Sequence, residues 1–219
     1  MHRFFLIISG LFLTGNVQAQ LGIRAGANYG TFSTETNRDT RFTKPSGKVG
    51  TQLGVFYEQP LNGRFSLVPE LQYCSQTTNT EVANYEISDG SYYGAYQLHL
   101  IHLSLPVLVR ATFGHFYLAA GPQVGLLVSA FQRGSIAEST IAGKREVYVE
   151  EAAKHYPRFQ TDITAGGGIK RPGGFGVDFR AYMGLITIFS QQETLFRYGS
   201  NLKSQVVQAS FSYQFKSKG

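Results

Sequence analysis

The residue types that could do chemistry are few in this chain and poorly spaced for catalysis. There are five histidines and a single cysteine in 219 residues. His99 and His102 stand three apart. On a strand, where side chains alternate, that separation sends them to opposite faces, which is poor geometry for sharing a metal. His115 is in or near a strand, and His155 belongs to a loop. Cys74 has no partner for an internal disulfide and reads as a small apolar filler. No serine nucleophile elbow, zinc-hydrolase helix motif or phosphate-cradling glycine loop is present. Gly166-Gly167-Gly168 lies inside a strand pattern with no helix after it, so close packing or curvature explains it better. The sequence thus predicts no catalytic, cofactor-binding or metal site and no enzyme, convergent polar loop residues being the remaining route to one.

Charged residues on the polar side of alternating segments offer a different chemistry. They are Arg24, Glu58, Glu70, Arg110, Asp162, Lys170, Asp178 and Arg180, four bases and four acids. Enclosed by a narrow wall, charges must pair or stay hydrated, because an isolated buried charge is expensive. A roughly neutral salt-bridge network holding the wall closed is the first expectation. A small pore lined by the same residues is the second, although eight strands leave an interior filled mostly by side chains.

The elements that must position these groups alternate with period two. In Leu21-Gly22-Ile23-Arg24-Ala25-Gly26-Ala27-Asn28-Tyr29 the odd residues are apolar or aromatic and the even ones small or polar. Further strands are expected near 49–58, 65–75, 96–110, 115–128, 159–170, 175–188 and 205–215. Phe56 breaks the pattern by standing on the polar side, and Pro106, which has no N–H for a ladder, suggests a bulge or a strained point near a rim. In the last strand Val207, Ala209, Phe211, Tyr213 and Phe215 alternate with Gln208, Ser210, Ser212 and Gln214. The connections run long and short in turn: 30–48, 59–64, 76–95, 111–114, 129–158, 171–174 and 189–204. Such rim asymmetry is expected of an outer-membrane barrel. A soluble exported ligand-binding β-barrel is the competing architecture, but it would bury the oily face.

Composition agrees. Gly 25, Tyr 13 and Phe 17 with no Trp describe aromatic strands closed by glycine. The formal charge of +6 is dispersed, with no basic block, so nucleic acid is not an expected partner. Arg3 precedes a short apolar run, Phe4 to Leu13, and Val17 and Ala19 suit a signal peptidase. Residues 1–19 are therefore expected to be a cleaved signal peptide and 20–219 the barrel domain. Tyr85, Tyr92, Tyr93 and Tyr96 suit an interfacial girdle better than a ligand patch. The charged loop at 129–158 could extend its hairpin above a membrane and serve recognition.

These residues carry a resemblance. Gly22 to Tyr29, Leu67-Val68-Pro69-Glu70-Leu71-Gln72-Tyr73, Leu103 to Val109, Tyr117 to Gly125, Ala165 to Ile169 and Val177 to Tyr182 resemble the PorT-like outer-membrane β-barrel domain family of Bacteroidota. The likeness covers essentially the whole mature chain. It implies an all-β, eight-stranded antiparallel transmembrane up-and-down β-barrel with short periplasmic turns and long extracellular loops. It implies no single activity, and the secretion role behind the family's name does not pass over with the fold. Phe215 resembles a terminal assembly aromatic, although Lys216-Ser217-Lys218-Gly219 follows it. The expectation is a monomeric, non-enzymatic barrel of the cell outer membrane without cofactors. Its surroundings would be lipid and lipopolysaccharide, its role structural or loop-mediated toward an envelope protein. A narrow transport or secretion-associated barrel is the alternative.

Overall fold

A computed structural model describes residues 20–34, 41–84, 92–138, 144–151, 156–185 and 202–215. The strands are β1 (Gln20–Thr34), β2 (Arg41–Asn62), β3 (Phe65–Asn84), β4 (Tyr92–Phe113), β5 (Phe116–Glu138), β6 (Lys144–Glu151), β7 (Phe159–Lys170), β8 (Phe175–Gly184) and β9 (Leu202–Gln214). Every pairing is antiparallel. The order β4-β3-β2-β1-β9-β8-β7-β5 closes through β4–β5 into a barrel of eight staves. β6 and β7 share one flank of β5: β7 pairs with Phe116–Leu126 and β6 with Phe131–Glu138.

The short turns contain Gly63, Gly114 and Gly174, with φ of 55°, 65° and 91°. Side chains other than glycine rarely adopt that backbone, so glycine is what lets the chain reverse within so few residues.

Alternation puts the oily residues outside. Phe211 is 74% exposed, and Leu53, Leu118, Phe179 and Val207 are likewise on the outer surface. A soluble barrel would bury that face. The apolar run on the outer wall is also bounded. Along β3 the outward residues are Phe65, Leu67, Pro69, Leu71 and Tyr73, followed by Ser75 and Thr77. On the neighbouring staves the change comes at Lys48, His99 and Arg133. Phe65 to Tyr73 matches the ~9–11 residues a tilted strand needs to cross a bilayer.

The strands do not stop there, which revises the expected loops. β2 starts at Arg41, β3 runs to Asn84, β4 starts at Tyr92 and β5 reaches Glu138. Much of the segments 30–48, 76–95 and 129–158 is therefore strand. Gln76-Thr77-Thr78-Asn79-Thr80 explains why: it is polar on both faces, so it lacks an apolar alternation, yet threonine favours the extended backbone. Pro106 is corrected too. It is fully buried and opposite Gln123, seven residues from the end of β4 at Phe113, so it is not near a rim. The β3–β4 pairing skips Leu105 and Pro106 and resumes in the same register, so the missing N–H interrupts the ladder without a bulge. The irregularity in the β4–β5 pairing falls instead at Ile101/His102.

The segment 1–19, Tyr85, His155 and residues 35–40, 186–201 and 216–219 lie outside the described residues, as do the side chains of Tyr92, Tyr93 and Tyr96.

The charged lumen as candidate functional site

The lumen is filled in successive layers. Nearest the short turns, Glu58 gathers donors that all lie within four residues of a strand end. Ser66 Oγ donates to its Oε1 at 2.9 Å. Arg110 Nη1, Gln214 Nε2 and Lys170 Nζ approach its Oε2 at 2.9, 2.8 and 3.2 Å. One acid meets two bases here, so the layer carries a formal surplus of positive charge.

Above it lies an apolar layer of Phe56, Val68, Leu108, Tyr117 and Ala119. Phe56 is 4% exposed. Its departure from alternation is thus an inward turn of an aromatic ring, and Gly22 opposite makes it possible. A Cβ at Gly22 would sit 2.6 and 2.7 Å from ring carbons of Phe56. The ring is held between two guanidinium groups, Arg24 at 5.8 Å and Arg110 at 5.9 Å from its centroid. Arg110 also lies 4.1 Å from the Tyr117 centroid, within reach of a cation–π attraction.

The third layer is a quartet. Arg24 donates to Glu70 Oε2 at 3.0 Å and to Asp178 Oδ2 at 2.7 Å. Arg180 donates to the same Glu70 oxygen at 2.8 Å, and its Nε lies 3.2 Å from Asp178 Oδ1. All four side chains are essentially inaccessible to solvent. Gln72 adds a donor to Glu70 Oε2 at 2.7 Å. Glycine makes room again: Gly166 and Gly168 stand opposite Arg180 and Asp178. A Cβ at Gly166 would come within 2.7 Å of Arg180 Cα and Cγ, and one at Gly168 within 2.7 Å of Asp178 Cβ.

The outermost described layer is mostly amide and hydroxyl. Asn28 donates to Cys74 Sγ at 3.3 Å, the Tyr182 hydroxyl is 4.0 Å from that sulfur, and Gln76 donates to Tyr182. Gln52 donates to Ser210 at 2.6 Å. Cys74 is buried and free, as its isolation suggests, but it sits among polar groups rather than as an apolar filler. Asp162 accepts from Gln160 at 2.8 Å and from Gln123 at 3.1 Å.

The structure therefore brings Arg24, Glu70, Asp178 and Arg180 together, and separately Glu58, Arg110 and Lys170. Asp162 joins neither group. His99 bonds Thr77 Oγ1 at 2.9 Å on the outer side, while His102 lies on the inward face. Among the described residues no group of three His, Cys, Asp or Glu could hold a metal. Tyr117, Tyr182, Gln123 and Gln160 do not stand out in the sequence, whereas Gln72, Gln208 and Gln214 fall on its polar faces. Even spacing from the charged residues was the available signal: Tyr182 follows Arg180 by two.

A closed antiparallel barrel, oily outside and charged within, is the architecture of an outer-membrane β-barrel. The chain belongs to the family described as outer membrane protein beta-barrel domain, whose model it matches over residues 16–190. Its place is the outer membrane, with lipid against the apolar band. No curated protein matches the sequence. Among solved structures it is similar to Ail, the attachment invasion locus protein of Yersinia pestis, with 12% identity over 90% of this chain and 99% of that one and a TM-score of 0.44. It is also similar to OprG from Pseudomonas aeruginosa, with 14% identity over 93% and 99% of the two chains and a TM-score of 0.45. For Neisserial surface protein A the values are 11%, 90%, 99% and 0.43. At such identities and scores nothing about ligand or activity passes from them to this chain.

Proposed function

We propose that this protein is a non-conducting, non-enzymatic barrel whose interior serves stability and whose elevated hairpins meet an envelope partner. The observation that carries the reading is the apolar layer of Phe56, Val68, Leu108 and Tyr117 lying across the lumen between two ion-paired layers. An interior of this kind holds the wall closed and leaves no wide aqueous path. Function then falls to the parts beyond the membrane, where β2 to β6 continue past the apolar band.

The strand motifs around Gly22, Pro69, Leu103 and Gly121 support a place among the PorT-like barrels of Bacteroidota. The filled lumen argues against carrying a transport role along with that likeness. We take the barrel as a monomer in lipid and lipopolysaccharide, and residues 1–19 as a signal whose removal leaves Gln20, the first residue of β1, at the mature N-terminus.

Conductance tests the reading directly. Purified protein inserted into planar bilayers is expected to give no reproducible step above the lipid leak. A steady ohmic conductance that changes on neutralising Glu70 or Arg180 would establish the transport alternative instead. Cross-linking in whole cells, lost on trimming the hairpin between Phe131 and Glu151, is the expected sign of a partner.

A further inference from the structure

Charge is divided unevenly between the two ends of this barrel. The chain has 14 acidic side chains. Glu58, Glu70, Asp162 and Asp178 are in the lumen. Every other one, from Glu35 to Glu193, belongs to or flanks the connections from β1 to β2, β3 to β4, β5 to β7 and β8 to β9. The short-turn end has none besides Glu58, which Arg110 and Lys170 already engage. The segments 1–19 and 216–219, next in the chain to the strand ends at this rim, contain no acidic side chain either, and the second adds Lys216 and Lys218.

Bases occupy the same end on the outer wall. Arg64 and Arg171 are exposed in the β2–β3 and β7–β8 turns, with His115 exposed in the turn between them. The three turns are neighbours: Thr112 N–H donates to the Arg64 carbonyl at 2.9 Å, and Lys170 N–H to that of His115 at 2.8 Å. Aromatic rings that face lipid stand beside them in the chain: Phe65, Phe113, Phe116 and Phe175 are all exposed. The Arg64 guanidinium carbon lies 5.5 Å from the Phe113 ring centroid, so its charge rests against the wall rather than across the mouth of the lumen. A belt of such rings marks the depth where hydrocarbon gives way to headgroups.

We propose that this arc of the short-turn rim selects anionic phospholipid headgroups over zwitterionic ones. A guanidinium bonds most strongly to an ionised oxygen, and phosphate suits its planar fork. A phosphodiester with no ammonium group of its own leaves that oxygen uncancelled, and the aromatic belt sets it at the height of the arc. An acidic soluble protein is the less favoured occupant, because Arg64 is turned onto a lipid-facing ring. The surface lies at the opposite end from the hairpins proposed to meet a partner, so either reading can fail without the other. A base near a membrane surface favours an anionic lipid by about fivefold. The arc borders roughly half of one leaflet's boundary lipid, so averaged over both leaflets the preference is about twofold.

The test refolds the mature chain into phosphatidylcholine vesicles carrying a trace of spin-labelled phosphatidylglycerol or spin-labelled phosphatidylcholine. Electron spin resonance reads the motionally restricted fraction of each label. Phosphatidylglycerol is expected to associate about twofold more strongly in ~10 mM salt and equally in ~1 M, where the Debye length shrinks to about 3 Å. Arg64→Gln with Arg171→Gln should bring the low-salt ratio close to one, and Arg171→Gln alone should remove part of the preference. Lys48→Gln with Arg133→Gln, at the other end of the barrel, should leave it intact. The mobility of unboiled samples on a gel shows that each variant is folded. A ratio of one for the unsubstituted chain overturns the proposal, as does a preference that survives the rim pair or high salt. Polyglutamate binding that the rim pair abolishes, with no lipid preference beside it, would assign the arc to an acidic protein instead.

Discussion

Glu70→Gln isolates the contribution of the ion quartet. Glu70 Oε2 receives Arg24 at 3.0 Å, Arg180 at 2.8 Å and Gln72 at 2.7 Å. The substitution keeps the shape and removes the charge, leaving two inaccessible guanidiniums with Asp178 as their one shared acid. Each lost attraction, taken at 3.0 Å and an effective dielectric of ~20, is about 5.5 kcal/mol gross. The penalty already incurred in taking these charges out of water offsets much of it. Breaking one partner of a buried pair typically costs about 3–5 kcal/mol, and that is the expected loss here. The assay is reversible urea unfolding from lipid vesicles. With a slope of about 2–3 kcal/mol per molar, the midpoint should fall by roughly 1–2 M. Arg180→Gln added to Glu70→Gln restores neutrality and should recover part of the loss, a coupling of about 0.5–3 kcal/mol. Lys48→Gln, exposed on the outer wall, should change stability by less than about 0.5 kcal/mol. A Glu70→Gln midpoint indistinguishable from that of Lys48→Gln would refute the view that the quartet holds the wall.

The other expectations are quickly checked. Phe56→Ala removes the ring between Arg24 and Arg110 and should cost about 3–5 kcal/mol in the same unfolding assay; paired with Leu108→Ala, it should produce small conductance steps in planar bilayers. Gly168→Ala places a Cβ 2.7 Å from Asp178 Cβ and 2.8 Å from Tyr117 Cζ, so overpacking of about 1–3 kcal/mol is expected from the urea midpoint. Cys74 should resist a bulky maleimide in the folded barrel and react stoichiometrically in urea, read as a gel shift. Terminal sequencing of protein recovered from outer membranes should begin at Gln20.

The wall was legible because most outward residues on the lipid-facing stretch obey one simple demand. Leu21, Ile23, Leu53, Val55, Val207 and Phe211 face lipid, and period two then assigns every inward neighbour. Where the demand lapses, so does the signal. Lys44 to Gly47 pairs with Thr77's successors up to Glu81 in water on the outer side, where either face can be polar, and the strand ends were accordingly invisible. The lumen was legible as a set of charges but not as an arrangement. Arg24 and Asp178 are 154 residues apart and meet because staves on opposite sides of a narrow barrel point at one axis. Alternation gives the direction of a side chain, while height along the axis depends on register and stagger, which small shifts such as that between Lys48 and Thr51 change. Asp162 shows the consequence. It shares a face with the other seven charged residues, yet its height along the axis keeps it out of both ion-paired groups.

That separation has a physical corollary for how the barrel is divided. The glycines at 22, 166 and 168 have no lipid to face; they exist to let Phe56, Arg180 and Asp178 occupy the axis. A wall that gives up three side chains to admit an aromatic ring and two charges gains contacts across the lumen in exchange for open space at those heights. The same trade cannot be made beyond the membrane, because the strands there leave the lipid that orders their outer face. Under the function proposed above, their residues are the ones free to be chosen for a partner. Substitutions among the inward charges should therefore register first in unfolding midpoints, and those on the outward faces of the elevated strands in partner capture. A variant of Glu70 or Arg180 that kept its stability but lost a cell-surface cross-link would break this division.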